Sequence, residues 1–159
     1  MFARIYDLLM EDIDFEPFLS FLSEHLKKDQ LILDAGCGTG YLGRRLRAQI
    51  HHTRYTALEH DAQYSPRVLD ALQFIALDIS PEMLAVARSY NHYHAYIAKD
   101  IETLANQTHK NDCPITALGP FDLVMSSLAV QWCHDLQLAL SALQSITQGR
   151  EDHFSIFLT

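Results

Sequence analysis

Ten residues, Leu31-Ile32-Leu33-Asp34-Ala35-Gly36-Cys37-Gly38-Thr39-Gly40, constrain this chain more than any others. Three apolar residues lead into an acid, and three alternate glycines follow. The pattern predicts a short buried strand that breaks into a glycine loop and opens a helix. Glycine has no Cβ and tolerates positive φ, so such a loop lets a ligand lie against the backbone. In open α/β sheets the carboxyl end of a strand, beside a helix N-terminus, is where ligands bind.

Around this corner, strands and helices alternate. Residues 1–29 read as a helical N-terminal segment. A weak pattern (Phe2, Ile5, Leu8, Leu9) covers residues 1–10. A clearer helix over 15–27 rests on Phe15, Phe18, Leu22 and Leu26, with Asp14 as N-cap and Pro17 in the first turn. Residues 30–159 read as the sheet domain. Strands are predicted at 30–34, 74–78, 93–98, 121–125 and 153–158. Helices are predicted over 41–50, from Ser80-Pro81 onward, and through Leu136, Leu140, Leu143 and Ile146 to a stop at Gly149. Residues 51–72 form a polar insertion, in which Arg54–Glu59 has the makings of a strand and Ser65–Leu72 of a helical turn or two. Residues 105–118 read as a loop. Short apolar strands alternating with helices imply a parallel sheet covered on both faces, with right-handed crossovers.

Composition narrows the function. The length of 159 residues fits one domain. The net charge of −8 argues against nucleic acid as the main partner. No run is long and apolar enough to span a membrane, and the N-terminus lacks a signal peptide's apolar stretch, so a cytoplasmic protein is expected. Cys37, Cys113 and Cys133 suit neither a disulfide framework nor a zinc site. The nine histidines, among them His51, His52, His92 and His94, have no ligand spacing, so no metal is expected. Arg44, Arg45 and Arg47 make either a solvated helix face or a patch for an acidic partner.

The glycine spacing, Gly-x-Gly-x-Gly, is not that of dinucleotide dehydrogenases, which disfavours a nicotinamide. Three later strands add to the corner. The second ends in Asp78, placed for the two hydroxyls of a ribose. The third ends in Asp100-Ile101, where a carboxylate and a backbone N–H suit an adenine edge. The fourth is introduced by Phe121-Asp122-Leu123-Val124.

The run Leu33 to Gly40 resembles the signature of the class I S-adenosylmethionine-dependent methyltransferases. Asp78-Ile79-Ser80-Pro81-Glu82-Met83-Leu84 and Asp100-Ile101-Glu102 are similar to that family's next two motifs. The run from Phe121 to Cys133, with Asp100-Ile101-Glu102-Thr103-Leu104, looks like the malonyl-[acyl-carrier protein] O-methyltransferases of biotin synthesis; trans-aconitate methyltransferases carry a similar Gln-Trp run. The resemblance implies a Rossmann-like, doubly wound, three-layer αβα fold. Its strand order would be 3-2-1-4-5, lacking the family's usual last two strands.

The resemblance also implies site roles. Gly36, Gly38 and Gly40 let the loop wrap the methionine part of S-adenosylmethionine, with Cys37 a small packed residue in that loop. Asp34 positions the loop and reaches the cofactor amine through water. Asp78 holds the ribose, with Glu59 its rival, because 44 residues separate Asp34 from Asp78 and exceed the family's norm. Ile79 and Met83 pack on the adenine, which Asp100 and Ile101 read. Ser126 and Leu128 line the methyl-donor end, and Tyr6 closes over the cofactor. Gln131 and Trp132 face the acceptor. An ionised carboxylate acceptor needs no general base, so no catalytic acid or base is named and alignment does the work. The acceptor implied is an acyl-carrier protein's malonyl group or a small carboxylic acid. The alternative is a methyltransferase-like binding module without turnover. An apolar fifth strand at a sheet edge predicts pairing with a second copy.

Overall fold

The structure is a computed structural model, and it describes residues 2–27, 29–57, 72–106 and 114–147. Its centre is a sheet of β1 (Leu31–Ala35), β2 (Gln73–Asp78), β3 (Ala95–Ala98) and β4 (Leu123–Met125). The strands lie in the order β3-β2-β1-β4, all neighbouring pairs parallel. Asp34 lies level with Ala76 on one side and Met125 on the other, and Asp78 level with Ala98. The register therefore gathers the carboxyl ends of all four strands along one edge.

Alternate residues feed two cores, as the period of two in a strand requires. Leu33, Ala35, Ile75, Leu77, Ile97 and Val124 pack with Ile115, Ala139 and Leu143. Ile32, Phe74, Ala76, Leu123 and Met125 pack with Met10, Leu19, Leu22, Leu42, Leu46 and Leu84. The first face is covered by α6 (Leu136–Ser145) and a short α5 (Pro114–Ala117). The second is covered by α1 (Phe2–Glu11), α2 (Glu16–His25), α3 (Tyr41–Ala57) and α4 (Pro81–Tyr90). This is the predicted three-layer, doubly wound arrangement. The fifth strand and Gly149 lie outside the described residues.

Local chemistry sets the element ends. Ser80 caps α4 by accepting from the Met83 N–H (3.3 Å), Pro81 takes the first turn, and Asn91 ends the helix at φ 53°. Asp135 caps α6 through the Leu138 N–H at 2.9 Å. Three expectations are corrected. The helix predicted over 15–27 is α2, with helical Phe15 at its N-cap; the Asp14 carboxylate instead accepts from Glu16 N–H two residues on. The helix predicted to stop at residue 50 runs to Ala57, so Arg54–Ala57 is helical, not a strand. No glycine or proline interrupts residues 44–57, and each added residue closes one more hydrogen bond. The predicted loop at 105–118 contains the end of a 3₁₀ turn (Glu102–Asn106) and α5. Glu59 and the rest of the predicted insertion up to Ala71 lie outside the described residues, while Leu72 is buried. Among the described residues no helix is long and apolar enough to cross a membrane.

Candidate functional site

At the end of β1 the chain turns through three glycines in the left-handed region, at φ 72°, 55° and 77° for Gly36, Gly38 and Gly40. The turn is bolted to β2. Gly36 and Cys37 N–H donate to the Leu77 carbonyl at 2.7 and 3.0 Å. Gly38 N–H donates to Asp78 Oδ2 at 2.8 Å, and Ser80 N–H donates to Oδ1 at 2.8 Å. The acid at the second strand end therefore shapes the glycine loop directly. A Cβ at Gly36 would sit 2.1 Å from Ala129 Cβ, and one at Gly38 would lie 3.3 Å from the Tyr6 ring. The missing side chains keep open the cleft between loop, β4 extension and α1.

The cleft encloses about 380 Å³ at the carboxyl edge of the sheet. Gly36, Gly38 and Tyr6 line it on one side, and Asp78, Ile79 and Met83 on another. Asp100, Ile101 and Glu102 follow, then Leu128, Ala129 and Trp132. The 3₁₀ turn is stiffened from within: Asp100 Oδ1 accepts from Glu102 N–H at 2.9 Å. The Glu102 carboxylate accepts from His134 and Asp135 N–H at 3.1 and 2.7 Å, tying the β3 loop to the entry of α6. Leu128 adopts φ 55°, costly for a leucine, in the cleft wall. Trp132 is 81% exposed at the rim.

Most of the sequence-predicted site residues meet here: Tyr6, Gly36, Gly38, Asp78, Ile79, Met83, Asp100, Ile101 and Trp132. The others stand behind or beside the cleft. Asp34 is 1% exposed and accepts a 2.5 Å hydrogen bond from the Tyr93 hydroxyl. Cys37 is buried and its thiol points to the Gly38 carbonyl. Gly40 backs onto Tyr93. Ser126 is buried and donates to the Ala35 carbonyl at 2.7 Å, pinning the end of β4 to β1. Gln131 is exposed outside the cleft wall. Lys99, Glu102, Ala129, Cys133 and His134 also line the cleft and were not expected there. Glu102 had a readable signal, since it directly follows the acid and isoleucine of the third strand end.

Electrostatics follow from burial. Desolvation pushes the Asp34 carboxyl up to about 7; the Tyr93 bond opposes this and Asp78 reinforces it. Burial, with Asp34 and Asp78 nearby, pushes the Cys37 thiol well above its ordinary range, so it is a packed thiol and not a nucleophile. Burial first and then Asp78, Asp34 and Asp7 raise the Tyr6 hydroxyl. Three carboxylates and one lysine line the cleft, a field that favours a cationic ligand. Among the described residues no group of three His, Cys, Asp or Glu is placed to hold a metal ion.

Helix α1 roofs the glycine loop through Asp7. Its carboxylate accepts from the Thr39 hydroxyl and from Arg44 Nη2 at 2.7 Å, and the Tyr90 hydroxyl reaches it at 3.5 Å. The neighbouring Tyr6 is thereby held on Gly38.

Known proteins resemble this chain in sequence and in fold. The profile of a family described as "Methyltransferase domain" matches residues 26–151. The malonyl-[acyl-carrier protein] O-methyltransferase of Erwinia billingiae is 35% identical over 121 residues, covering 76% of this chain and 36% of that protein. That of Serratia marcescens is 35% identical over 133 residues, covering 84% and 39%. The chain thus spans little more than a third of the length of these relatives. A putative S-adenosyl-L-methionine-dependent methyltransferase from Methanococcus maripaludis superposes with a TM-score of 0.63 at 16% identity, covering 98% of this chain and 62% of that one. One from Clostridium acetobutylicum does so at 0.58 and 21%, covering 99% and 55%. The chain belongs to the methyltransferase-domain family, whose cofactor is S-adenosylmethionine.

Proposed function

We propose that this chain carries the cofactor-binding part of an S-adenosylmethionine-dependent methyltransferase that O-methylates a carboxylate, of the malonyl-[acyl-carrier protein] type. One observation carries the reading: a single cleft collects the positive-φ Gly36 and Gly38, Asp78 and Asp100 around space for an adenosyl group. When bound, S-adenosylmethionine supplies a methyl group already activated on a sulfonium.

The protein's share is then orientation. Each Asp78 oxygen accepts one backbone N–H and keeps a lone pair for a ribose hydroxyl. Asp100 and Ile101 face the adenine edge, and Ile79 and Met83 supply apolar contact to its faces. The glycine loop gives backbone approach to the methionine part. Asp34 acts from behind, holding the loop through Tyr93 and reaching the amine through water. Cys37, Gly40 and Ser126 act from behind as well, keeping the loop and the end of β4 in shape. Tyr6 closes the roof. Trp132 and Gln131, at and beyond the rim, meet the acceptor. An ionised carboxylate attacks without a base, so alignment of acceptor and methyl is what the site contributes.

Calorimetric titration with S-adenosylhomocysteine tests the cofactor half. Asp78→Ala is expected to weaken binding by about 1–3 kcal/mol, the cost of unmade hydrogen bonds. Unchanged affinity would move the ribose role to Glu59. Methyl transfer to malonyl-acyl-carrier protein, set against trans-aconitate, tests the acceptor; binding without transfer to either would leave a binding module.

A further inference from the structure

A second recess, of about 410 Å³, shares no lining residue with the cleft. Tyr41, Arg44, Arg45, Arg47 and Ala48 of α3 line it together with His92, just past the end of α4. Four basic side chains meet there, and the described lining contains no carboxylate.

The arginines are held apart and aimed. Arg44 stacks on the Tyr90 ring at 3.7 Å and lies 5.6 Å from the Tyr41 ring, with Asp7 on one nitrogen. Arg45 uses one nitrogen on Glu16 at 2.8 Å. Arg47 lies over the Phe74 ring at 4.9 Å, and among the described residues its buried Nε has no hydrogen-bond partner. Arg47 is half-buried, and burial disfavours its charge. Burial first, and then the Arg47 and Arg44 guanidiniums, disfavour the charged form of His92. A half-buried guanidinium with no counter-ion among the described residues is costly, and an anion seated beside it offsets that cost. Guanidinium forks match the oxygens of a phosphoryl group, and arginines on successive turns can converge on one.

We propose that this recess binds an oxyanion of the phosphate class, with Arg45 and Arg47 donating to it and Arg44 and His92 at its margin. The recess exceeds the size of one phosphate ion, so the phosphoryl group of a larger ligand fits it as well as the free ion.

The test uses the full chain, with inorganic phosphate and glycerol 3-phosphate as probes at matched ionic strength. The readouts are the Arg47 Nε–H resonance and the His92 ring resonances. The expected result is a saturable shift of both residues. Read at His92, affinity should weaken at least tenfold in Arg47→Gln, and read at both residues it should weaken severalfold in Arg45→Gln, whose side chain is exposed. Tighter binding of the ester than of the free ion identifies a larger phosphorylated ligand; equal binding identifies the free ion. S-adenosylhomocysteine affinity should stay within twofold in Arg45→Gln, which separates this recess from the cofactor cleft. A shift that does not saturate, that chloride reproduces, or that survives both substitutions would overturn the proposal.

Discussion

Asp34 shows how one residue links the sheet to the site. It stands one residue before the end of β1 at 1% exposure, so its carboxylate is buried, and it accepts from the Tyr93 hydroxyl. Its folded-state value of about 7 lies above its ordinary 3.8. Between these values the native state holds more protons than the unfolded chain, so this residue's contribution to stability falls as pH rises from about 4 to 7. The ceiling on that loss is about 4 kcal/mol, at 1.36 kcal/mol per unit. Asparagine keeps an acceptor for Tyr93 and cannot ionise. Urea unfolding at pH 5 and pH 8 is therefore expected to show the native chain losing more midpoint than Asp34→Asn; parallel losses would contradict the assignment. The acid itself was legible from its place between an apolar run and the glycines. Tyr93 was not, because a partner 59 residues away leaves no local trace in sequence. Asp78 and Asp100 were legible by the same strand-end logic. What sequence could not reveal is that Asp78 also holds the glycine loop through the Gly38 N–H.

At the scale of elements, ends were readable where a side chain closes them. Ser80-Pro81 announced α4, and the structure bears out that cap. Asp14 looked equally suited, yet its carboxylate closes a local turn on the Glu16 N–H while Phe15 takes the N-cap without a side-chain bond. The extension of α3 was missed because Tyr55 and Thr56 favour strands locally, and helix propagation overrode that preference. The most consequential element is α1, whose weak pattern hid its role as roof. Asp7 fastens it to Thr39 and Arg44, at the start of α3. Asp7→Ala is expected to accelerate amide exchange in α1 and to weaken S-adenosylhomocysteine several-fold, about 1 kcal/mol, by releasing Tyr6 from Gly38. Exchange in β1 should stay unchanged. Equal acceleration in both elements would mean that Asp7 supports the whole fold and not the roof.

For the whole molecule, strand order decides where chemistry can happen. The chain leaves β1 toward β2 and β3 on one side and returns to β4 on the other, so the connections diverge beside the glycine loop. That divergence opens the crevice in which the cleft lies. The cleft is acidic, with Asp78, Asp100 and Glu102 against Lys99, and the chain carries a net charge of −8. S-adenosylmethionine bears a sulfonium that S-adenosylhomocysteine lacks, while the two share adenine, ribose and amino acid. The acidic field acts on that one difference. Raising salt shortens the Debye length from about 10 Å at 0.1 M to about 3 Å at 1 M. The affinity for S-adenosylmethionine is therefore expected to fall two- to fivefold further than that for S-adenosylhomocysteine across this range, as read by calorimetry on the same preparation. Equal salt dependence of the two ligands would place the sulfonium out of reach of these carboxylates, and the methyl-donor end would then have to be sought elsewhere along the cleft.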